Sequence, residues 1–491
     1  MMKNKVAHGA AIMAFFQVLA RVFDVVALLV LARLLVPSDF GLVAIATSVL
    51  LVLTAVTELP VIDVLVQREQ LEARDVDAAF TTNIIRGLAV SALLVFSSFP
   101  IASIYHDPRL VPIICVLALV PFGKSMESPA LVHRIREMNY RPTAQVLLFG
   151  KFCGAIFGIA MAFVTHSYWS LVASVTIASI ASAAWSYVLA PYRPGIEFKG
   201  VWALLNFAGW VTLSRVFFTT SQQGDRFFVG HILGTALLGK YTMGGDISSV
   251  ATNSLAAPIL RPMFAGMARI QSDIERLQGA YLKCQQALTM LILPVGVGLA
   301  LVADILVPLV LGPEWSETKF VIWWIAPVVA LQMLSIPVQA ASMARGMPET
   351  LALREGGALL LRIPATLLAA WYYGFEGAVM ARAVTGVIII VFNMGIANQL
   401  VGVSIQRQVL AVWRSLASAG IMAATVLLAK AFIVTPSGMI ACAVELAGLA
   451  GLGGAVYCSV HAALWWLGGR AQGAETFVLD MIRTKRGRSS A

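Results

Sequence analysis

The strongest constraint on this chain is a series of fourteen apolar stretches, separated from one another by short charged or Pro/Gly-containing turns. A helix needs roughly 20 mostly apolar residues to cross the hydrocarbon core of a bilayer. Inside the bilayer every backbone group must be hydrogen-bonded within the protein, and stretches of this length do so as helices. The pattern therefore predicts an all-α integral membrane protein with about 14 transmembrane helices. The predicted spans are 9–35, 40–66, 79–104, 110–133, 143–165, 168–190, 201–230, 236–264, 281–311, 319–344, 352–372, 376–400, 410–433 and 438–467.

Composition excludes a soluble domain. Only 12% of the 491 residues are charged and 59% are hydrophobic, whereas a soluble domain averages about 25% charged residues. The formal net charge is +10, which in a soluble protein would indicate nucleic-acid binding. In a membrane protein, Lys and Arg instead collect on cytoplasmic loops. We therefore predict the lipid bilayer as the environment of the chain and no nucleic-acid partner.

The distribution of Lys and Arg over the turns predicts the orientation. With the N-terminus inside, twenty of these residues fall on inside segments and five on outside segments. A miscounted helix would scramble this asymmetry, so the asymmetry supports both the count and the direction. We expect both termini to be cytoplasmic. The five outside residues are Arg33, Arg109, Lys240, Lys319 and Lys430.

Two segments that lie six helices apart match at an offset of 198 residues. The end of helix 1 (Leu29 to Ile45) matches the end of helix 7 (Phe227 to Met243), and Gly41 aligns with Gly239. Each segment is an apolar helix, a short turn and a glycine that opens the next helix. Because six is an even number, the two copies would have the same orientation in the membrane. Such parallel repeats occur in transporters, with the substrate site between the halves near the midplane.

The repeat predicts the domain organisation. Helices 13 and 14 lie outside the two copies, and the chain ends in a basic segment expected to lie near anionic lipid. The predicted divisions are an N-lobe at 1–200 (helices 1–6), a C-lobe at 201–402 (helices 7–12), helices 13 and 14 at 403–469, and a basic cytoplasmic tail at 470–491.

Several charged residues fall inside the predicted helices. Arg21 and Asp24 on helix 1, Arg215 on helix 7 and Arg362 on helix 11 lie near the midplane, and Lys151 lies nearer the cytoplasm. A charge at the bilayer centre costs roughly 2.5–3.5 kcal/mol on insertion scales and normally faces the bundle interior. The spacing of Arg21 and Asp24 puts them on one helix face, so they could simply form an internal ion pair.

Arg215 and Arg362 have no acid within four residues on their own helices. Each needs either a partner on another helix or an anionic ligand. Several cations in one interior suit a diphosphate, because guanidinium groups bind phosphate oxygens through paired hydrogen bonds. A cavity for cationic drugs would instead need acids at the midplane, where only Asp24 lies. These residues are therefore predicted to bind an anionic substrate.

Uncharged polar residues are concentrated on helices 7 and 8. Such runs either line a hydrated cavity or form hydrogen bonds between helices, and the sequence leaves both alternatives open. The runs are Ser214, Thr219, Thr220, Ser221, Gln222 and Gln223 on helix 7, and Ser248, Ser249, Thr252, Asn253 and Ser254 on helix 8.

The sequence lacks the motifs of several enzyme classes. It contains no GxxxxGK[ST] nucleotide loop, no HExxH helix and no GxSxG elbow. Its five cysteines lie in apolar stretches without CxxC or Cys/His spacing. We predict that the chain is not an enzyme and has no catalytic residue, metal site or cofactor.

Seven segments follow one another in a characteristic order and spacing. They are LARLLVPSDFGLVAIA (31–46), Glu58 with VLVQRE (64–69), HRIREMNYRP (133–142), GDRFFVGHILGTALLGKY (224–241), RIQSDIERLQGAYLK (269–283), LPVGVGLALVADILVPLVLGPEW (293–315) and ARG (344–346). Together these segments resemble the Wzx-type polysaccharide flippases, within the superfamily that also holds multidrug and toxin exporters and lipid II flippases. The resemblance covers roughly residues 8–400. It departs at Leu59-Pro60, where the family usually has Gly.

The resemblance implies an alternating-access transporter of the bacterial inner membrane, with two six-helix lobes. Its implied cargo is an undecaprenyl-diphosphate oligosaccharide, turned from the cytoplasmic to the periplasmic face, and its implied partners are a polysaccharide polymerase and co-polymerase. Asp225 and Arg226 match a family motif by position and join the predicted substrate-binding residues. Two alternatives stay open: a cation-coupled drug or toxin exporter of the same fold, and a membrane-bound polymerase or transferase.

Overall fold

The computed structural model describes most of the chain. The described residues are 2–57, 65–66, 71–198, 209–270, 273–347, 349–432 and 438–469, and their regular structure is entirely helical. Residues 58–64 of the predicted helix 2, including Glu58 and Leu59-Pro60, lie outside the described residues. So does the basic tail at 470–491.

The described helices form fourteen segments that match the predicted spans one for one, when pieces separated by a short break are counted together. This confirms the predicted all-α membrane fold. The first seven helices are α1 (Met2–Leu34), α2 (Pro37–Thr57), α3 (Ala73–Tyr105), α4 (in the pieces Leu110–Leu117, Leu119–Ser125 and Leu131–Arg136), α5 (Arg141–Thr165), α6 (Trp169–Leu189) and α7 (Gly209–Leu233). The last seven helices are α8 (Thr235–Arg269), α9 (in the pieces Ile274–Leu301 and Ala303–Val310), α10 (in the pieces Thr318–Gln332 and Ile336–Ala344), α11 and α12 (both within Glu349–Val401), α13 (Ile405–Phe432) and α14 (Met439–Leu467).

A glycine separates α11 (349–373) from α12 (375–401). Gly374 has φ 64° and ψ −145° within an otherwise continuous helical stretch, a conformation that residues with a Cβ rarely adopt. The three aromatic residues before it, Trp371, Tyr372 and Tyr373, are strongly exposed. Exposed Trp and Tyr at a turn suit the membrane–water interface, so a turn at the bilayer surface joins these two helices.

Ten spans within the described residues are long and apolar enough to cross a membrane, and one of these contains both α11 and α12. The predicted helices 7 and 8 do not qualify among them. Their polar runs make α7 and α8 less apolar than the other helices, and these two helices supply much of the candidate site described below.

The helices pack into two units, of which the first contains Met1–Thr242 and Glu355–Ile363. Within it, glycines at four-residue spacing let α5 approach α6 closely. A Cβ added to Gly150 would lie 2.0 Å from Ser182 Oγ, and one added to Gly154 would lie 2.4 Å from the Ser174 carbonyl oxygen. Small residues at this spacing allow close helix packing inside a membrane.

The second unit contains Met243–Arg354 and Pro364–Ala491, and a buried polar cluster ties α9, α10 and α13 together within it. Gln285 Nε2 donates to Gln408 Oε1 at 3.2 Å and to the Leu334 carbonyl at 3.1 Å. The Leu334 carbonyl lies in the 3₁₀ turn Met333–Ser335, which interrupts α10. At another point on α13, Lys430 Nζ lies 2.6 Å from Asp304 Oδ1. These bonds fix α13 to the rest of its unit.

Candidate functional site

Three of the predicted charged residues form one cluster in the first unit. The Asp24 carboxylate of α1 lies between two cations: Oδ1 is 2.8 Å from Lys151 Nζ of α5, and Oδ2 is 3.8 Å from Arg21 Nη1. We call these three residues the α1–α5 charge cluster. Its Lys151 contact was not anticipated from the sequence, which paired Asp24 with Arg21 alone. The cluster holds two cations and one carboxylate, and so has one excess positive charge.

The α1–α5 charge cluster lies well away from the helix ends and is only partly covered. Asp24 is ten residues before the end of α1 at Leu34, and Lys151 is ten residues after the start of α5 at Arg141. The exposed fractions of the side chains are 51% for Arg21, 30% for Asp24 and 40% for Lys151. Because charged groups at this depth face a water-filled cavity or the protein interior rather than lipid, the cluster suits a hydrated binding surface.

Arg362 lies in a different environment, against α7. Its side chain is only 4% exposed, and its Nη1 donates to Gln222 Oε1 at 2.6 Å and to the Ser221 carbonyl at 3.5 Å. Close packing positions it, since a Cβ added to Gly224 would lie 2.7 Å from Ile363 Cδ1. The buried guanidinium of Arg362 therefore packs against the polar stretch of α7.

The remaining three predicted site residues lie on α7 itself, in contrasting positions. Asp225 is completely buried; its Oδ2 accepts from Tyr241 Oη at 2.7 Å, and its Oδ1 accepts from the Arg226 backbone N–H at 2.8 Å. Arg226 is partly buried, and Arg215 is exposed. Asp225 thus ties the end of α7 to the start of α8, whereas Arg215 is an exposed residue nearer the start of α7.

The polar runs on α7 and α8 behave differently from each other. On α7, Gln222 bonds Arg362 of α11, and Gln223 Oε1 accepts from Ser48 Oγ of α2 at 3.4 Å. On α8, the Ser248 and Thr252 hydroxyls donate to backbone carbonyls one turn earlier, at 2.7 and 3.0 Å. Of the two alternatives left by the sequence, these described bonds show packing contacts between helices on α7 and bonds within the helix on α8.

The two segments matched at an offset of 198 residues contact each other. A Cβ added to Gly41 would lie 1.8 Å from the Thr235 carbonyl oxygen, and one added to Gly239 would lie 1.8 Å from the Pro37 carbonyl oxygen. Pro37 and Thr235 are also 198 residues apart, so the two contacts are equivalent to each other. Reciprocal contacts of this kind arise where a twofold axis relates two copies. The start of α2 thus packs backbone to backbone on the start of α8, in agreement with the predicted parallel repeat.

Sequence reasoning missed two residues that complete this site. Gln222 had been assigned to a polar run without a partner, and Tyr241 had been noted only as part of a family segment. Among the described residues, no group of three His, Cys, Asp or Glu residues could hold a metal ion. The side chains that the structure does bring together here form ion pairs and hydrogen bonds, as between Asp24 and Lys151 and between Arg362 and Gln222.

Several known proteins are similar to this chain. The family described as "Polysaccharide biosynthesis protein" matches residues 30–319. The lipopolysaccharide biosynthesis protein WzxC of Escherichia coli (strain K12) is 22% identical over 425 residues, which cover 84% of this chain and 85% of that protein. The succinoglycan biosynthesis transport protein ExoT of Rhizobium meliloti (strain 1021) is 24% identical over 311 residues, which cover 62% of this chain and 61% of that protein.

Among solved structures, the lipid II flippase MurJ in its inward closed conformation has a TM-score of 0.73 at 10% identity, covering 92% of this chain and 98% of that one. At this identity the likeness concerns the fold alone, and it agrees with the helical architecture described above. The sequence relatives confirm the resemblance to the Wzx-type proteins. Since the family match spans more than half of the chain, this protein belongs to the polysaccharide biosynthesis protein family.

Proposed function

We propose that this protein turns an undecaprenyl-diphosphate-linked oligosaccharide from the cytoplasmic to the periplasmic face of a bacterial inner membrane, for exopolysaccharide, capsule or O-antigen assembly. Membership of the family supports this, as do relatives whose names assign them to lipopolysaccharide biosynthesis and succinoglycan transport. The protein acts as a transporter and catalyses no reaction. Both of its termini are cytoplasmic, and a polysaccharide polymerase and co-polymerase receive its product.

The observation that carries this proposal is the excess positive charge of the α1–α5 charge cluster. Arg21 and Lys151 share a single carboxylate, and all three side chains are accessible in the middle of their helices. A diphosphate diester brings two negative charges and several acceptor oxygens, which match Arg21 and Lys151 by charge and hydrogen bonding. Arg215, Arg226 and Arg362 supply further cations, while Asp225 keeps α7 and α8 in position for them.

Alternating access supplies the movement. In this proposal, the reciprocal contact of Gly41 and Gly239 closes the outer end of the path, because the predicted orientation puts the α1–α2 and α7–α8 turns outside. Backbone-to-backbone contact without side chains can separate and re-form without rearranging a packed core. The cargo then enters from the cytoplasmic side while this contact is closed, and leaves when the contact opens.

Surface polysaccharide in a deletion strain tests the proposal. The double variant Arg21→Gln/Lys151→Gln should abolish surface polysaccharide and strand lipid-linked units on the inner face, because the diphosphate loses both cations of the α1–α5 charge cluster. Lys319→Gln is the matched control, since Lys319 is an exposed cation near the start of α10 and should not affect export. Membrane abundance of each variant is measured alongside by immunoblot.

The same strain separates the competing functions. Unaltered export in the double variant, at normal membrane abundance, would refute the proposed site. A drug or toxin exporter predicts intact polysaccharide and increased drug susceptibility on deletion. A polymerase or transferase predicts that unpolymerised or unmodified units accumulate on the outer face, whereas a flippase defect leaves them on the inner face.

A further inference from the structure

The Asp24 carboxylate holds its two cations unequally. The 2.8 Å separation from Lys151 Nζ is that of a charge-assisted hydrogen bond. The 3.8 Å separation from Arg21 Nη1 is too long for one. Lys151 is therefore hydrogen-bonded to Asp24, whereas Arg21 is held to it only by the longer-range attraction of opposite charges. Arg21 is also the most exposed of the three side chains.

Asp24 is not the sole contact between α1 and α5. The neighbouring residues Phe23 and Phe152 make an edge-to-face ring contact with centroids 5.5 Å apart. This apolar contact joins the same two helices beside the charge cluster. A carboxylate kept among the cations of a proposed anion site opposes binding of the anion, so it requires a role other than packing.

We propose that Asp24 is an internal counterion that the diphosphate displaces from Lys151. This inference rests on the proposed function and concerns how the same site releases its cargo. In the empty protein, Asp24 neutralises one of the two cations. When the diphosphate binds, its oxygens take the donors of Arg21 and then of Lys151, and the freed Asp24 carboxylate repels the bound anion. Asp24 therefore weakens binding and makes release possible.

Substitution of Asp24 distinguishes this role from a structural one by the direction of the effect. If Asp24 served to hold the cations in place, Asp24→Asn would weaken anion binding, as loss of a cation does. If Asp24 competes with the anion, Asp24→Asn tightens binding. The tighter complex also releases cargo more slowly, so export falls although affinity rises.

The experiment measures binding of farnesyl diphosphate to the purified full-length protein in nanodiscs by microscale thermophoresis. We expect Asp24→Asn to bind about tenfold tighter than the unaltered protein and Lys151→Gln to bind about tenfold weaker, each a change of about one decade in Kd. Asp304→Asn is the matched control, because it breaks a Lys–Asp pair of similar geometry in the second unit and should leave Kd unchanged. Thermal unfolding of each variant confirms that it is folded.

Nanodiscs with and without phosphatidylglycerol separate a prenyl diphosphate from an anionic phospholipid headgroup. Competition by phosphatidylglycerol at the same affinity would assign the site to the membrane lipid. If the unaltered protein binds farnesyl diphosphate but Asp24→Asn binds it equally or more weakly, the counterion role is overturned and the proposed function stands. If neither the unaltered protein nor Asp24→Asn binds farnesyl diphosphate, in nanodiscs with or without phosphatidylglycerol, the proposed function fails and the counterion role fails with it.

Discussion

Adding one methyl group at Gly239 or Gly41 should open the contact between α2 and α8. In Gly239→Ala the new Cβ would lie 1.8 Å from the Pro37 carbonyl oxygen, whereas ordinary contact begins near 3.4 Å. The helices would therefore have to separate by about 1.6 Å, since the obstructing atom belongs to the backbone and cannot rotate away. Overpacking of this kind costs roughly 1–3 kcal/mol. Gly41→Ala meets the Thr235 carbonyl at the same 1.8 Å and should have the same effect.

If this contact is closed in one transport state and open in another, that cost falls on the closed state alone. A shift of 1–3 kcal/mol changes the ratio of two conformations about 5–150-fold. Gly245→Ala is the matched control on the same helix, because a Cβ there meets nothing within 4 Å. It should leave the ratio unchanged.

The assay is the rate at which a membrane-impermeant thiol reagent labels Ser48→Cys from outside, in a background without the five native cysteines. Ser48 lies on α2, is 3% exposed and bonds Gln223, so labelling requires opening. We expect Gly41→Ala and Gly239→Ala to accelerate labelling and Gly245→Ala to leave it unchanged. Equal labelling rates with the native glycines and in the three glycine variants, at unchanged thermal stability, would refute the assignment of this contact to a single conformation.

Two further predictions concern residues outside the cations themselves. Tyr241→Phe should destabilise the protein by roughly 1.5–3 kcal/mol, because it removes a hydrogen bond to the buried Asp225 carboxylate; a thermal unfolding midpoint equal to that of the unaltered protein would contradict this. In the turn after α3, hydrogen bonds from Arg109 hold the pKa of Asp107 below its usual value. The stabilisation from this pair is present above the ordinary carboxyl pKa and is lost as the pH falls through the lowered pKa. Asp107→Asn should therefore reduce stability at neutral pH by no more than about 1 kcal/mol, and the reduction should shrink as the pH falls through the lowered pKa.

The number and order of the helices follow from the sequence because each membrane-spanning segment must meet the requirements of the bilayer by itself. Stretch length and flanking charge define each span, and all fourteen predicted spans have a helical counterpart. The repeat was also visible, since Gly41 and Gly239 lie at one offset. Their direct contact could be seen only in the tertiary structure, because a constant offset shows that two segments are similar in sequence but does not show that they are in contact.

The charge partners could not be predicted. Arg21 and Asp24 are three residues apart on one helix, so local geometry pairs them, whereas Lys151 is more than a hundred residues away. Asp225 matched a family motif and was therefore expected to bind substrate, yet the structure gives its carboxylate a partner in Tyr241. Whether Asp225 also contacts cargo stays a prediction.

The sequence by itself determined that this protein is a bundle of membrane-spanning helices carrying more cations than acids at their centres. Tertiary structure alone decided which cation faces which acid. The physical reason is that the sequence of a helix that is apolar on every side does not indicate which of its faces packs against which neighbouring helix. Close contacts of small residues, such as those of Gly41, Gly150 and Gly239, set the rotation of each helix and its choice of neighbour. Those rotations bring Lys151 to Asp24 and Gln222 to Arg362.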